Sequence, residues 1–478
     1  MRWLASVSVI FLLSLAAGAA AAMAQPAADA RVDAVFARWT TTTPGCAVGV
    51  GADGRTVLTR GYGMAELEHD VPNEGGTIFE AGSVTKQFTA AAVLLLARDG
   101  KLSLDDPVRQ HIPEVPDFGV PLTVRHMLTH TSGLRDWGNL AAIAGWPRGT
   151  RVHTHAHVLD IVSRQRALNF TPGSRYSYSN SGYNLAAILV ARLSGLSFAE
   201  FTRTRLFEPL GMTHTSWRDD FTRVVKGRAQ AYARAGEGPY TLDMPFENVH
   251  GNGGLLTTVG DLLIWNENFV TPRVGDRAFV DELQRTVPFT SGTMQTYALG
   301  LRLGVYKGVR EVHHSGATGG YRAFLTRFPD QHVSVAVLCN AADADAAALA
   351  HAVADLYLGD RLNPAAPRDR QPAEMRGPVA DMPTDAAYAP SAADLAAFAG
   401  TYRSDEAETT LVIEVRDGAL VAWRRPDTVI PLRPHAADRF DAGPLGIVTF
   451  HRREGRVESL GVTQDRVWDL RFTRAAAR

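Results

Sequence analysis

Residues 361–390 carry six of the chain's 25 prolines and show no hydrophobic periodicity. Proline lacks a backbone donor and fixes one dihedral, so this stretch reads as a linker by composition. It divides 478 residues into two unlike parts. That length exceeds one typical core, and two domains are the expectation. Apolar residues make up 45% of the chain, enough for a large core and too many for a mainly disordered protein.

Ahead of the linker, strand and helix patterns alternate. Gly45 to Met64 brackets Asp53-Gly54 and predicts two paired strands. Val84, Phe88, Ala91, Ala92, Leu95 and Leu96 fall at helical spacing, predicting a helix over Ser83–Asp99 that Gly100 stops. Further helices are predicted near His157–Leu168, from Asn180 to Gly195, and after Ser197-Phe-Ala-Glu200, a capping box with Leu196 and Phe201 as its staple. Glu311–Ser315, Arg322–Phe328 and Val333–Asn340 read as strands, and Ala344–Leu358 as a helix capped by Asp343. The order predicts one mixed sheet closed by both ends of the region, with a helical lobe inserted, hence an α/β (α+β) fold. After Asp394, short strands at Thr410–Val415, Ala419–Trp423, Val429–Arg433, Ile447–His451 and Val467–Thr473 predict a small antiparallel sheet or barrel.

Arg2, the apolar run Trp3–Ala22 and the step Ala22-Met23-Ala24 describe a cleavable secretory signal, with an uncleaved membrane anchor as the alternative because the run is long enough to span a bilayer. The expected boundaries are therefore signal peptide 1–24, main domain 25–360, linker 361–393 and C-terminal domain 394–478. No second long apolar stretch follows, so a periplasmic or secreted protein without a membrane span is expected. Lys+Arg is 49 and Asp+Glu is 50, which lacks the basic excess of a nucleic-acid binder. Two cysteines exclude a disulfide scaffold and a multi-cysteine metal site. Cys46 and Cys339 both lie in strand-like apolar runs, as a disulfide or as two buried thiols.

Three short elements can carry chemistry. In Ser83-Val-Thr-Lys86, positions three apart share a helix face, so hydroxyl and amine point to one side. A serine needs a base, and an amine held neutral by burial can serve. The chain has four lysines against 45 arginines, and arginine cannot give up its proton. Lys86 is thus singled out as a titratable amine. Tyr178-Ser179-Asn180 follows the Pro172-Gly173 turn and offers a proton-carrying phenol and an orienting amide. His314-Ser315-Gly316-Ala317 opens a strand pair whose small residues let a substrate lie along the edge, with His314 supplying a donor or positive charge. Trp137 and Tyr321 are expected in the pocket walls. His153, His155 and His157 alternate, but a helix start at Thr154 points the rings apart, and His126 and His130 lack the glutamate of a metalloprotease helix. All five are read as structural, with no metal or other cofactor.

The three elements, in this order, resemble the serine β-lactamase and penicillin-binding-protein superfamily. The similarity is strongest to the branch holding class C β-lactamases, D-alanyl-D-alanine carboxypeptidases and related esterases and D-amino-acid peptidases. Thr77–Ser83, Leu122–Gly133, Phe207–Met212 and Gly253–Thr258 also read like that family, over about residues 30–358. The resemblance implies a β-lactamase/DD-peptidase-like fold with an antiparallel sheet flanked by helices. It implies Ser83 as nucleophile, Lys86 and Tyr178 sharing the base work, and Asn180 orienting Lys86 and substrate. It implies an oxyanion hole from the backbone N–H groups of Ser83 and Ala317. His314 stands where class C enzymes carry lysine, which argues against an efficient class C β-lactamase. The C-terminal segment resembles a small barrel appended to many members. The implied function is hydrolysis of a D-amino-acid peptide or small ester through an acyl-serine. The alternatives are a β-lactamase and a non-catalytic penicillin-binding or peptidoglycan-sensing protein.

Overall fold

The computed structural model describes residues 30–366, 371–385 and 387–476, and the signal expected at 1–24 lies outside them. Its main body is built on a six-stranded sheet. The strands are β1 Cys46–Ala52, β2 Arg55–Tyr62, β3 Arg302–Tyr306, β4 Val309–Thr318, β5 Tyr321–Phe328 and β6 Val333–Cys339. Their order is β3-β4-β5-β6-β1-β2, so strands from the two ends of the domain meet at β6–β1. Every pairing is antiparallel, as the family resemblance implies, in place of the mixed sheet read from element order. Each strand returns beside its neighbour through a hairpin or a long excursion, and no parallel crossover is needed. Cys46 lies opposite Cys339 in this register, and the two form a disulfide.

Side chains alternate between the two faces. Cys46, Val48 and Val50 share a core with helix residues Ala350, Val353 and Ala354, while Ala47 joins the larger core on the other face. There lie the helices α1 Lys86–Arg98, α2 Trp137–Ile143, α3 His155–Ser163, α4 Asn180–Ser194 and α5 Val259–Glu267; α6 Ala346–Leu358 covers the first face. Residues Lys86–Leu96 of α1 are buried on every side. A helix that is apolar all round belongs at the centre of a fold, and Lys86 is the one charge in that buried run.

Local differences from expectation have local causes. Helix α3 starts at Thr154, whose side chain caps it with His157, and it ends at Ser163. Gln165 then turns to exchange two hydrogen bonds with the Arg135 backbone. Ser197 caps its helix, but Glu200 pairs with Arg203 and Leu196 stays 43% exposed, so box and staple are only half made. Asp345 caps α6 through the Ala348 N–H, whereas Asp343 pairs with Arg38 and Arg234.

The C-terminal strands β7 Gly400–Ser404, β8 Thr409–Arg416, β9 Ala419–Arg424, β10 Thr428–Ala436, β11 Arg439–Asp441, β12 Ile447–Arg453, β13 Arg456–Gln464 and β14 Val467–Arg474 form a closed antiparallel barrel. Phe398, Tyr402, Phe440, Phe450 and Phe472 fill it. Leu140 and Ile143 of α2 join that same core, so the barrel is seated on the helical lobe. Met375, beyond the proline-rich start of the linker, packs with Tyr176, Phe289 and Tyr297. Among the described residues, no single helix is long and apolar enough to cross a membrane.

Candidate active site

Ser83 lies in a 3-10 turn, Gly82–Thr85, that runs directly into α1. The turn passes close to β4. A Cβ on Gly82 would stand 2.5 Å from the Ala317 nitrogen, and one on Gly316 would stand 3.0 Å from the Ser83 nitrogen. Gly82 also has φ +49°, so glycine at both positions brings the Ser83 and Ala317 amides together.

Lys86 begins α1 with its side chain fully buried. Its Nζ lies 3.2 Å from Ser83 Oγ, 2.9 Å from Asn180 Oδ1 and 2.7 Å from the Asn252 carbonyl oxygen. No carboxylate touches it among the described residues. Burial pushes its pKa well below the ordinary lysine value, and the nearby Arg466 charge lowers it further, against a smaller opposing effect of Asp136. Asp136 is turned to backbone: its carboxylate accepts from the amides of Gly138, Asn139 and Asn180, capping α2 and fixing the start of α4.

The centre of the Tyr178 ring lies 4.8 Å from Lys86 Nζ, and Tyr178 lines the same cavity as Ser83. Burial raises the phenol pKa above its usual value, so Tyr178 stays protonated at neutral pH. His130 holds the Tyr178 loop from both sides. Its carbonyl accepts from the Ser177 N–H at 3.0 Å and its Nδ1 from the Ser179 N–H at 3.2 Å. Its ring sits 4.2 Å from that of Tyr178.

His314 lines the same cavity, yet its ring is 2% exposed. Nδ1 lies 2.6 Å from the Ser315 carbonyl, which only accepts, so Nδ1 carries the proton. Burial and the nearby Lys86 push its pKa well down, leaving Nε2 bare to accept from Tyr297 Oη at 2.9 Å. The expected donor or positive charge from His314 is therefore not offered to a substrate. The exposed Ser315 and Ala317 take the cavity edge beside it.

The cavity has a volume of about 630 Å³ and is lined by Ser83, Tyr178, Asn180, His314, Ser315, Gly316 and Ala317, the candidates from sequence other than Lys86, which is buried behind Ser83 with Nζ 3.2 Å from its Oγ. Trp137 and Tyr321 are not in its walls. Both are fully buried, Trp137 donating to Asn184 and Tyr321 to the Ala229 carbonyl. Sequence reasoning missed Asn252, Arg302 and Arg466, which also line the cavity. The signal for Asn252 was its place inside Gly251-Asn-Gly-Gly254, where Gly251 and Gly254 have φ of +92° and +88°.

A β-lactamase family profile matches residues 24–358. The chain belongs to the β-lactamase family. Among curated relatives, the D-aminopeptidase of Gluconobacter oxydans is 29% identical over 313 residues, which is 65% of this chain and 58% of that protein. Penicillin-binding protein 4* of Bacillus subtilis is 28% identical over 316 residues, 60% of this chain and 66% of that protein. The chain thus spans about three fifths of the length of the curated relatives it matches. The octameric penicillin-binding protein homologue from Pyrococcus abyssi superposes with TM-score 0.60 at 25% identity, over 90% of this chain and 96% of that one. The D-amino acid amidase of Ochrobactrum anthropi shares the fold, with TM-score 0.59 at 23% identity over 70% of this chain and 99% of that one. The β-lactamase family match ends at Leu358, so Arg466 comes from outside it.

Proposed function

We propose that this protein is a serine hydrolase cleaving an ester or amide through an acyl-serine, with Ser83 as nucleophile and Lys86 as base. The observation that carries this reading is the set of partners around Lys86. A neutral amine has two N–H groups and one lone pair. Asn180 Oδ1 and the Asn252 carbonyl only accept, so they take both N–H groups and leave the lone pair for Ser83. The depressed pKa of Lys86 favours that neutral form.

In the reaction, the Ser83 proton passes to Lys86 as Oγ bonds to the substrate carbonyl carbon. The carbonyl electron pair moves onto its oxygen, which the Ser83 and Ala317 amides stabilise; such a donor typically contributes about 3–4 kcal/mol. Collapse breaks the bond to the leaving group, which receives the proton through the Tyr178 hydroxyl. Water then attacks the acyl carbon and gives one proton to the same groups; the acyl–Oγ bond breaks, the acid leaves, and that proton passes to Ser83 Oγ. Asn180 orients the amine, and the edge Ser315-Gly316-Ala317 seats the substrate.

D-amino-acid peptides and small esters are the substrate classes put first, in line with the names of the D-aminopeptidase and amidase relatives. Action in the periplasm or outside the cell belongs to the same proposal. The leader pattern at 1–24 and the Cys46–Cys339 disulfide support it, since disulfides persist in oxidising compartments. The test is labelling with a fluorophosphonate and a fluorescent penicillin. It is joined to a hydrolysis panel of p-nitrophenyl esters, nitrocefin, D-Ala-D-Ala peptides and D-amino-acid anilides. Labelling lost in Ser83→Ala, with turnover of at least one substrate, supports the reading. An unlabelled wild type without turnover leaves a binding protein instead.

A further inference from the structure

The β13–β14 turn of the barrel reaches the cavity and is fixed there by its backbone. The Arg466 carbonyl accepts from the Asp136 N–H at 3.2 Å and from Asn169 Nδ2 at 3.1 Å, and the Asp465 carbonyl from Ser177 Oγ at 3.3 Å. Asn139 Nδ2 donates to Gln464 Oε1 at 2.7 Å on the near side of the turn, and the Trp468 N–H to Asn169 Oδ1 at 2.9 Å beyond it. The Arg466 side chain is left over from this docking. Its guanidinium lies 4.7 Å from the centre of the Tyr178 ring, facing the cavity, with no carboxylate partner among the described residues.

The other charges around the cavity do not cancel it. Arg148 is paired with Glu247. Arg302 donates to Tyr176 Oη, and Arg322 to the carbonyls of Gly319 and Tyr321; neither has a carboxylate partner among the described residues. The two lining carboxylates are already engaged, Asp343 by Arg38 and Arg234 and Asp345 by the Ala348 amide. Arg302, Arg322 and Arg466 thus lack a carboxylate partner among the described residues, against one lining carboxylate, Asp345, held only by a neutral amide, so the cavity carries net positive charge in a partly dry setting where an anion gains most.

We propose that the substrate carries a carboxylate, or an equivalent anionic group, that pairs with Arg466, so that the barrel sets the charge preference of the site. This rests on the serine hydrolase reading above and narrows it, away from substrates with a free amine and toward acidic acyl groups or peptides. The guanidinium works by binding and takes no proton.

The test compares 4-nitrophenyl pentanoate with mono(4-nitrophenyl) glutarate, in which a carboxylate replaces the terminal methyl. Wild-type kcat/KM is expected to favour the glutarate ester by about 10- to 100-fold, the range of one charge-assisted hydrogen bond. Arg466→Gln should bring the ratio close to one, Arg466→Glu should invert it, and Arg466→Lys should restore part of it. Because backbone atoms dock the turn, these variants keep the barrel seated. Should one fail to fold, the wild-type preference must still shrink between low and high salt, as pairing between partly exposed charges does. A ratio near one in the wild type, a ratio unmoved in Arg466→Gln, or faster cleavage of D-alanine 4-nitroanilide than of its N-succinyl derivative overturns the proposal. Absence of all turnover and of Ser83 labelling would instead overturn the hydrolase reading, so the two failures are told apart.

Discussion

Lys86 Nζ lies 2.7 Å from the main-chain oxygen of Asn252, a residue 166 positions away. That oxygen, together with the Asn180 side chain, decides which way the amine lone pair faces. The surroundings of the Lys86 amine are therefore set by long-range packing as much as by the three-residue step from Ser83.

Lys86→Arg should lower kcat/KM by about a thousandfold or more, within the range general-base catalysis supplies. Arginine stays protonated and has no lone pair for Ser83. The pH dependence has a definite sign. The working form is the neutral amine, and its pKa is lowered, so activity is present above that lowered value and falls as pH drops through it. A pH–rate profile that rises only near pH 10, the range of an unperturbed lysine, would contradict the assignment.

Tyr178→Phe should cost about 100-fold or more in kcat with little change in folding, because the ring contacts with His130 and Arg466 survive and only the hydroxyl is lost. Circular dichroism and steady-state kinetics on one preparation separate the two effects. A phenylalanine variant at full rate would remove Tyr178 from the proton path.

Glu80 and Arg218 form a bidentate pair at 2.8 and 3.0 Å, with side chains 0% and 1% exposed. Glu80 also accepts from the Gly254 amide, next to the loop that presents Asn252. Arg218→Met leaves the carboxylate buried without its partner and should destabilise the fold by about 3–5 kcal/mol. Chemical denaturation measures this, and a loss below about 1 kcal/mol would refute it.

Replacing Cys46 and Cys339 together with alanine should lower stability by about 2–4 kcal/mol and reduce the melting temperature. The bridge joins residues 293 apart, so its removal frees a long loop in the unfolded chain. Reduction of the wild type should give a similar shift. Equal melting temperatures with and without reductant would show that the bridge adds nothing.

The strands β1, β4, β5 and β6 and the helices α1 and α4 were legible because their apolar spacing is regular and most have a clear stop, glycine after β1, β4, α1 and α4 and Pro329-Asp330 after β5. Three barrel strands, β7, β11 and β13, were not. β11 has three residues, too few for a period, and β13 carries a register shift near Gln464 that breaks its alternation. At the site, Ser83, Lys86, Tyr178 and Asn180 were readable from local spacing. His314 was found, but its charge was misjudged, because neutrality depends on Tyr297 and on burial, which no local pattern records. Arg466 sits in an ordinary hairpin turn and gains its meaning only from where the barrel is docked.

The register of β1 against β6 has a consequence for biosynthesis. The sheet that frames Ser83 cannot close until residue 339 has been made, although Ser83 and Lys86 emerge early. Arg466 arrives later still. An incomplete chain would thus carry Ser83 and Lys86 without the packed β4 edge and its Ala317 amide, so under the proposed function acyl transfer waits until the sheet has closed.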